Sequence, residues 1–204
     1  ISLIGSGRTD AGVHAIGQSA NFKTDYNIKN KANFLKSINF FLSKNYISIL
    51  SVKKKKYSFH SRYSAKKRIY KYFIINREAP PVLQKNKIWH LKKKLDIQVM
   101  KKGANFLKRI KDFSTFRASS CSAASPIKTI EKITIKKKYD VIEICFVSKS
   151  FLQNQVRSMV GCLKYLAEKK WNLKKFKTVT ISKTRSNCAP PAPAHGLYLA
   201  QIKY

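Results

Sequence analysis

The sequence predicts an α+β chain made of two ferredoxin-like (βαββαβ) halves, the first lacking its opening strand and helix. Three observations lead there. From Lys66 onward the apolar periodicities read β-α-β-β-α-β with one extra helix. Before Lys66 they read β-β-α-β, the same order without its first two elements. The chain also opens inside an apolar run at Ile1 rather than at a Met. A strand, a helix and their connections would add about 30–50 residues. The first strand of such a sheet is interior, so the expectation is a gap, with the chain alone inactive or poorly folded in its first lobe. The boundary falls near Tyr57, giving residues 1–57 as a truncated N-terminal lobe and 58–204 as a C-terminal lobe.

In the first lobe, Ile1–Ser6 reads as a short strand and Gly7–Gly17 as a turn-rich loop. Gln18–Lys23 alternates with period two. Asn30–Ser43 spaces Phe34, Leu35, Ile38, Phe41 and Leu42 as a helix does, and Tyr46–Val52 is strand-like. In the second lobe, Ile69–Asn76 reads as a strand and Asp96–Ile110 as a helix. Ile127–Lys137 and Val141–Ser148 read as a hairpin. Phe151–Leu166 is the strongest helix, its stripe formed by Leu152, Val156, Met159, Val160, Leu163 and Leu166. A Lys-rich helix at Leu173–Val179, a Pro-rich loop and a closing strand at Gly196–Lys203 complete the order.

Charge narrows the function. There are 43 Lys+Arg against 9 Asp+Glu, a formal net charge of +34. A compact chain tolerates that self-repulsion best beside a polyanion. Only eight of the basic residues are Arg, and abundant Lys, Ile and Asn suggest a codon drift that inflates Lys on any surface. The arginines are therefore the more informative cations, because a planar fork of donors is hard to replace. The four cysteines show no CxxC spacing, which argues against zinc and against a disulfide scaffold. Reduced thiols in the cytoplasm are the expectation. No apolar run approaches the roughly 18–20 residues of a membrane span.

The chemistry concentrates in Gly5-Ser-Gly-Arg-Thr-Asp-Ala-Gly-Val-His14. A phosphate cradle fails on detail: Asp10 stands where the dinucleotide motif needs glycine, no Gly-Lys-Ser/Thr follows, and the next element is a strand rather than a helix. Taken alone, the loop is a tight turn capped by Asp10. It does not stand alone. Phe59–Ala65 with Arg68-Ile-Tyr70-Lys-Tyr72, Asp112–Arg117, Phe151–Gly161 and Ala192–Leu199 follow it.

Together these five blocks, in order across nearly the whole chain, resemble the tRNA pseudouridine synthase A (TruA) family. The resemblance implies that Asp10 is the nucleophile and that Arg8 helps displace the target base. It further implies that Tyr70 packs on the target uracil, Arg157 pairs with the nucleophile, and Leu197 lines the pocket. It implies two ferredoxin-like halves joined in one mixed sheet with the active-site cleft between them. It also implies a homodimer, without metal or cofactor, acting on tRNA uridines of the anticodon stem-loop at tRNA positions 38 to 40.

Elementary chemistry supports those roles. Turning uridine into pseudouridine breaks N1–C1′ and bonds C5 to the same carbon; a carboxylate can attack the sugar or the base covalently and leave again. A guanidinium beside it would aim it. A uridine in or near a stacked stem must be flipped out, at a few kcal/mol. Arg8 could fill the vacated space, and Tyr70 could stack on the flipped base. His14 and His60 lie inside the blocks without a partner at ligand or triad spacing, and fit loop packing or RNA contact better than acid–base work. The Lys runs 53–56, 92–94 and 136–138 suit phosphate contact or simple solvation. The rival readings are a non-catalytic basic RNA-binding protein and an inactive fragment of the same family.

Overall fold

A computed structural model describes all residues, Ile1–Tyr204. The second lobe is organised on β4 (Lys67–Asn76), with β5 (Trp89–Leu91), α2 (Ile97–Leu107), β6 (Ile130–Lys138), β7 (Val141–Ser148), α3 (Gln155–Ala167), α4 (Leu173–Ile181) and β8 (Leu197–Lys203). The first holds β1 (Ile4–Gly5), β2 (His14–Ala15), β3 (Ala20–Asn21) and α1 (Lys31–Leu42).

The main sheet runs β2-β8-β4-β7-β6. Its β8-β4-β7-β6 part is antiparallel throughout and places β4 and β7, the opening strands of the two β-α-β units, in the centre, the ferredoxin-like order. β5 pairs in parallel with the end of β4 at Ile74–Asn76, beyond the reach of β8. That three-residue strand was not legible from periodicity. The sheet is mixed, and the α+β class stands.

The core follows from alternation on the strands and stripes on the helices. On β7, Ile142, Ile144 and Phe146 are fully buried while the residues between them are not. α2 contributes Met100, Ala104 and Leu107, and α3 contributes Val156, Met159, Val160, Leu163 and Leu166. The two helices touch closely at Gly103, where a Cβ would lie 2.6 Å from a Leu166 methyl. α2 starts where Asp96 accepts from the Gln98 and Val99 amides at 3.0 Å, an N-cap worth about 1 kcal/mol. The opposite face of the sheet carries charge, including the Lys71–Glu143 pair at 3.0 Å.

The first lobe is built differently from the periodicity reading. The strands expected over Ile1–Ser6 and Gln18–Lys23 shrink to the two-residue ladder β1–β3, and β2 leaves it to run parallel to β8. Tyr46–Val52 forms no strand. Its backbone is engaged by a side chain instead: Asn39 Oδ1 accepts from the Ile49 N–H at 2.7 Å and Asn39 Nδ2 donates to the Ile49 carbonyl at 2.9 Å. Ser6 is the one buried residue before Ser61, and α1 buries none. Ile1, Leu3, Phe40, Phe41 and Leu50 are all exposed. No helix is long and apolar enough to cross a membrane.

Candidate active site

The loop between β1 and β2 is fastened at its start. The Ser6 N–H donates to the Ser19 carbonyl at 2.8 Å, its hydroxyl donates to Gln18 Oε1, and the Gln18 amide donates to the Gly7 carbonyl at 3.0 Å. Its middle is a tight turn, with the Val13 N–H donating to the Asp10 carbonyl at 3.0 Å. Gly12, third in that turn, has φ 78°, a left-handed conformation that glycine enters without steric cost. A Cβ there would meet only the Ala194 methyl, at 3.4 Å, so it is the backbone conformation rather than space that calls for glycine. At its far end, the Ile16 and Gly17 amides donate to the Leu199 carbonyl. The loop is thus pinned to the second lobe's closing strand.

The turn presents Asp10 to α3. Arg157 Nη1 donates to Asp10 Oδ2 at 3.1 Å, both side chains being roughly four-fifths buried. The same Nη1 donates to Asn154 Oδ1 at 3.1 Å, and Arg157 Nε donates to the Ala192 carbonyl at 2.8 Å. The Ala192 N–H returns to the Arg157 carbonyl at 3.0 Å. Gly161, one turn further along α3, lets the Pro190 carbonyl approach to where a Cβ would lie 2.1 Å away. Tyr72 donates its hydroxyl to the Pro193 carbonyl at 2.8 Å. The Pro-rich loop is therefore a fixed wall, and Arg157 is held by it as well as by Asp10.

Tyr70 lies on β4 with its ring edge-to-face against Phe151, centroids 5.3 Å apart. Burial raises its phenolic pKa; the Arg68 guanidinium opposes that shift and the Asp10 carboxylate adds to it. The Asp10 carboxylate thus lies near enough for its charge to act on the Tyr70 phenol. Leu197 begins β8 opposite Tyr72 and is buried among the core residues. Arg8 is exposed and makes no hydrogen bond or ion pair within the chain.

Two groups escaped the sequence reading. Arg68, almost fully buried, donates to three carbonyls from three segments: Ser6 at 2.8 Å, Arg62 at 2.6 Å, and Lys149 just ahead of α3. Burial holds its pKa below the ordinary arginine value. Its place among only eight arginines, immediately before the predicted strand Ile69–Asn76, was the available signal. The other is Asn154, whose motif position was visible but whose contact with Arg157 was not.

The family described as tRNA pseudouridine synthase matches residues 110–204. The chain is 60% identical over its whole length to a protein of Pelagibacter ubique named tRNA pseudouridine synthase A, covering 83% of that protein. The chain belongs to the tRNA pseudouridine synthase A family. Proteins of the same name from Parvibaculum lavamentivorans and Caulobacter vibrioides are 40% and 38% identical, each with 82% of its length covered.

Not every block shared with the tRNA pseudouridine synthase A family serves the site directly. In Asp112–Arg117, Phe113, Thr115 and Phe116 are fully buried, and Asp112 Oδ1 accepts from the Ser114 N–H and hydroxyl at 2.9 and 2.6 Å. Arg117 closes the following loop on the Cys121 and Ala123 carbonyls. That block anchors the core. In Phe59–Ala65, the Ser61 hydroxyl donates to the Ile4 carbonyl at 2.6 Å and its N–H to Asn21 Oδ1 at 2.8 Å, tying the β1–β3 ladder to the second lobe.

Proposed function

We propose that the chain isomerises uridine to pseudouridine in the tRNA anticodon stem-loop, at positions 38 to 40, with Asp10 as the covalent catalyst. The observation that carries this reading is the Asp10–Arg157 ion pair, set at the end of a pinned turn with Tyr70 close by. A carboxylate amid so many cations has one use that RNA binding does not supply. It can bond covalently to the flipped nucleotide and leave again, splitting one hard step into two.

Attack at C1′ expels uracil as an anion; attack at C6 leaves the base joined to both partners. Either route needs a carboxylate aimed from one direction, which the Arg157 guanidinium provides. On either route N1–C1′ breaks before the base turns; C5 then bonds to C1′, the bond to Asp10 breaks and returns the carboxylate, the C5 proton is lost and N1 takes one up, so product and substrate are isomers. Tyr70 supplies a ring face for the uracil, and Leu197 an apolar boundary of the pocket. Arg8, exposed and unengaged, reaches into the stem as the base leaves it. The chemistry needs no metal or cofactor. The protein acts as a homodimer in the cytoplasm, each protomer with its own Asp10.

Tritium release from tRNA carrying uridine labelled at C5 tests the reading. Within the complete protein the parent should release label, and Asp10→Asn, which keeps the shape but cannot bond covalently, should release none while still binding tRNA. Activity of the variant within about tenfold of the parent would remove Asp10 from the mechanism.

A further inference from the structure

We propose that Asn154 is a positioning residue for this reaction, holding the Arg157 guanidinium in the orientation that meets Asp10; the proposal rests on the functional reading above. Asn154 occupies the N-cap position of α3. An asparagine there ordinarily accepts a hydrogen bond from an amide of the first helical turn. Asn154 makes no such bond. Its Oδ1 accepts instead from Arg157 Nη1, three residues on.

The residue also has an unfavourable backbone. Its φ of 62° and ψ of −2° are left-handed, a region that residues bearing a Cβ rarely enter, although asparagine is among the more tolerant. This conformation ends the irregular segment Phe151–Gln153 and delays the helix, which the apolar stripe alone would begin at Phe151. Asn154 thus forgoes its cap and takes a strained backbone, and its one side-chain hydrogen bond is with the guanidinium beside the candidate nucleophile. Strain retained at such a place is a reason to look for function.

The geometry shows what the contact does. Arg157 is tethered at Nε by the Ala192 carbonyl, while Nη1 is shared by Asp10 and Asn154. When the Asp10 carboxylate bonds to the nucleotide it becomes an ester and loses its charge, so its hold on Nη1 weakens. The Asn154 amide oxygen is neutral and takes no part in bond making. It keeps Nη1 in place through the covalent stage, ready to receive the carboxylate when the ester breaks.

Asn154→Gly separates this role from a structural one. Glycine is at ease with the left-handed backbone, so a residue serving only the turn would give unchanged turnover and equal or higher stability. The positioning role gives an intact fold, a kcat reduced about tenfold through loss of one charge-assisted hydrogen bond, and a KM for tRNA within about twofold. A second readout does not depend on turnover. In nitrogen-15 NMR of the free protein, Arg157 should show separate, slowly exchanging Nη signals in the parent and averaged ones in Asn154→Gly. Unchanged kcat, or unchanged Nη signals, overturns the proposal. Absence of turnover in the parent overturns the functional reading and takes the catalytic part of this assignment with it. The NMR comparison then still decides whether Asn154 holds Arg157.

Discussion

Asp10 Oδ2 and Arg157 Nη1 meet at 3.1 Å although 147 positions separate them in the chain. Asp10 comes from a turn pinned between two short strands, and Arg157 from the first turn of the most deeply buried helix. Replacing Arg157 with Lys keeps the charge but not the fork that reaches Asp10, Asn154 and Ala192 together. Charge-assisted hydrogen bonds are each worth about 1.5–3 kcal/mol, so kcat should fall roughly 10- to 100-fold. Because the lost contacts hold a reacting group rather than the RNA, tRNA affinity should stay within a few-fold. Single-turnover kinetics beside a binding titration checks this; a kcat within threefold of the parent would detach Arg157 from the chemistry.

The buried Arg68 makes a different prediction. Arg68→Met fills similar space but leaves the Ser6, Arg62 and Lys149 carbonyls without their donor. Each orphaned buried acceptor costs about 1–3 kcal/mol, less whatever water recovers. A loss of roughly 2–5 kcal/mol in urea unfolding is expected. Activity should fall too, because Ser6 opens the loop that carries Asp10. Unchanged stability would mean that the three carbonyls find other donors.

These two arginines also mark what the sequence could and could not tell. Apart from the three-residue β5, the order of elements from Lys67 to Lys203 was legible, because the longer strands read as apolar runs of strand length and the helices carry apolar stripes. The candidate site was legible through its motifs, which single out Asp10, Tyr70 and Arg157 in the sequence. Arg68 was not, since its partners are backbone carbonyls 6, 62 and 81 positions away, and carbonyls carry no residue identity. The misread strand at Tyr46–Val52 has a similar cause. Its apolar content suits a strand, but a strand also needs a neighbour, and here Asn39 supplies the backbone partners. The start of α3 was misplaced because the apolar stripe continues through Phe151 and Leu152, while the left-handed backbone at Asn154 interrupts the helix.

Binding to tRNA should depend steeply on salt. Seven of the nine carboxylates already sit in ion pairs, which leaves most of the 43 basic side chains without a protein counter-charge. Each phosphate they neutralise releases bound counterions, so log K should fall by several units per unit of log salt. Filter binding across a salt series measures the slope. A flat response would mean that the cations serve solvation rather than RNA.

The two lobes should also differ in resistance to protease. Before Ser61 only Ser6 is buried, α1 packs no residue out of solvent, and the strands are two residues long. After it, fully buried side chains such as Tyr72, Phe113, Phe146 and Phe176 join strands and helices into one core. Local opening tracks the burial it must undo, so segments with little burial open first and often. Trypsin will find lysines in both lobes, so the rate of opening rather than the supply of sites should set the order of cleavage. Residues 1–57 should therefore be cut well before residues 58–204, with early cleavage in the Lys53–Lys56 run. A persistent fragment beginning near Tyr57 is the expected product, since Ser61 and Arg68 fasten the chain just beyond it. Bound tRNA should slow cleavage of the turn around Arg8, because it would cover the same loop that presents Asp10. Uniform cleavage of both lobes would contradict the burial pattern, and an unprotected Arg8 in the presence of tRNA would place the RNA elsewhere.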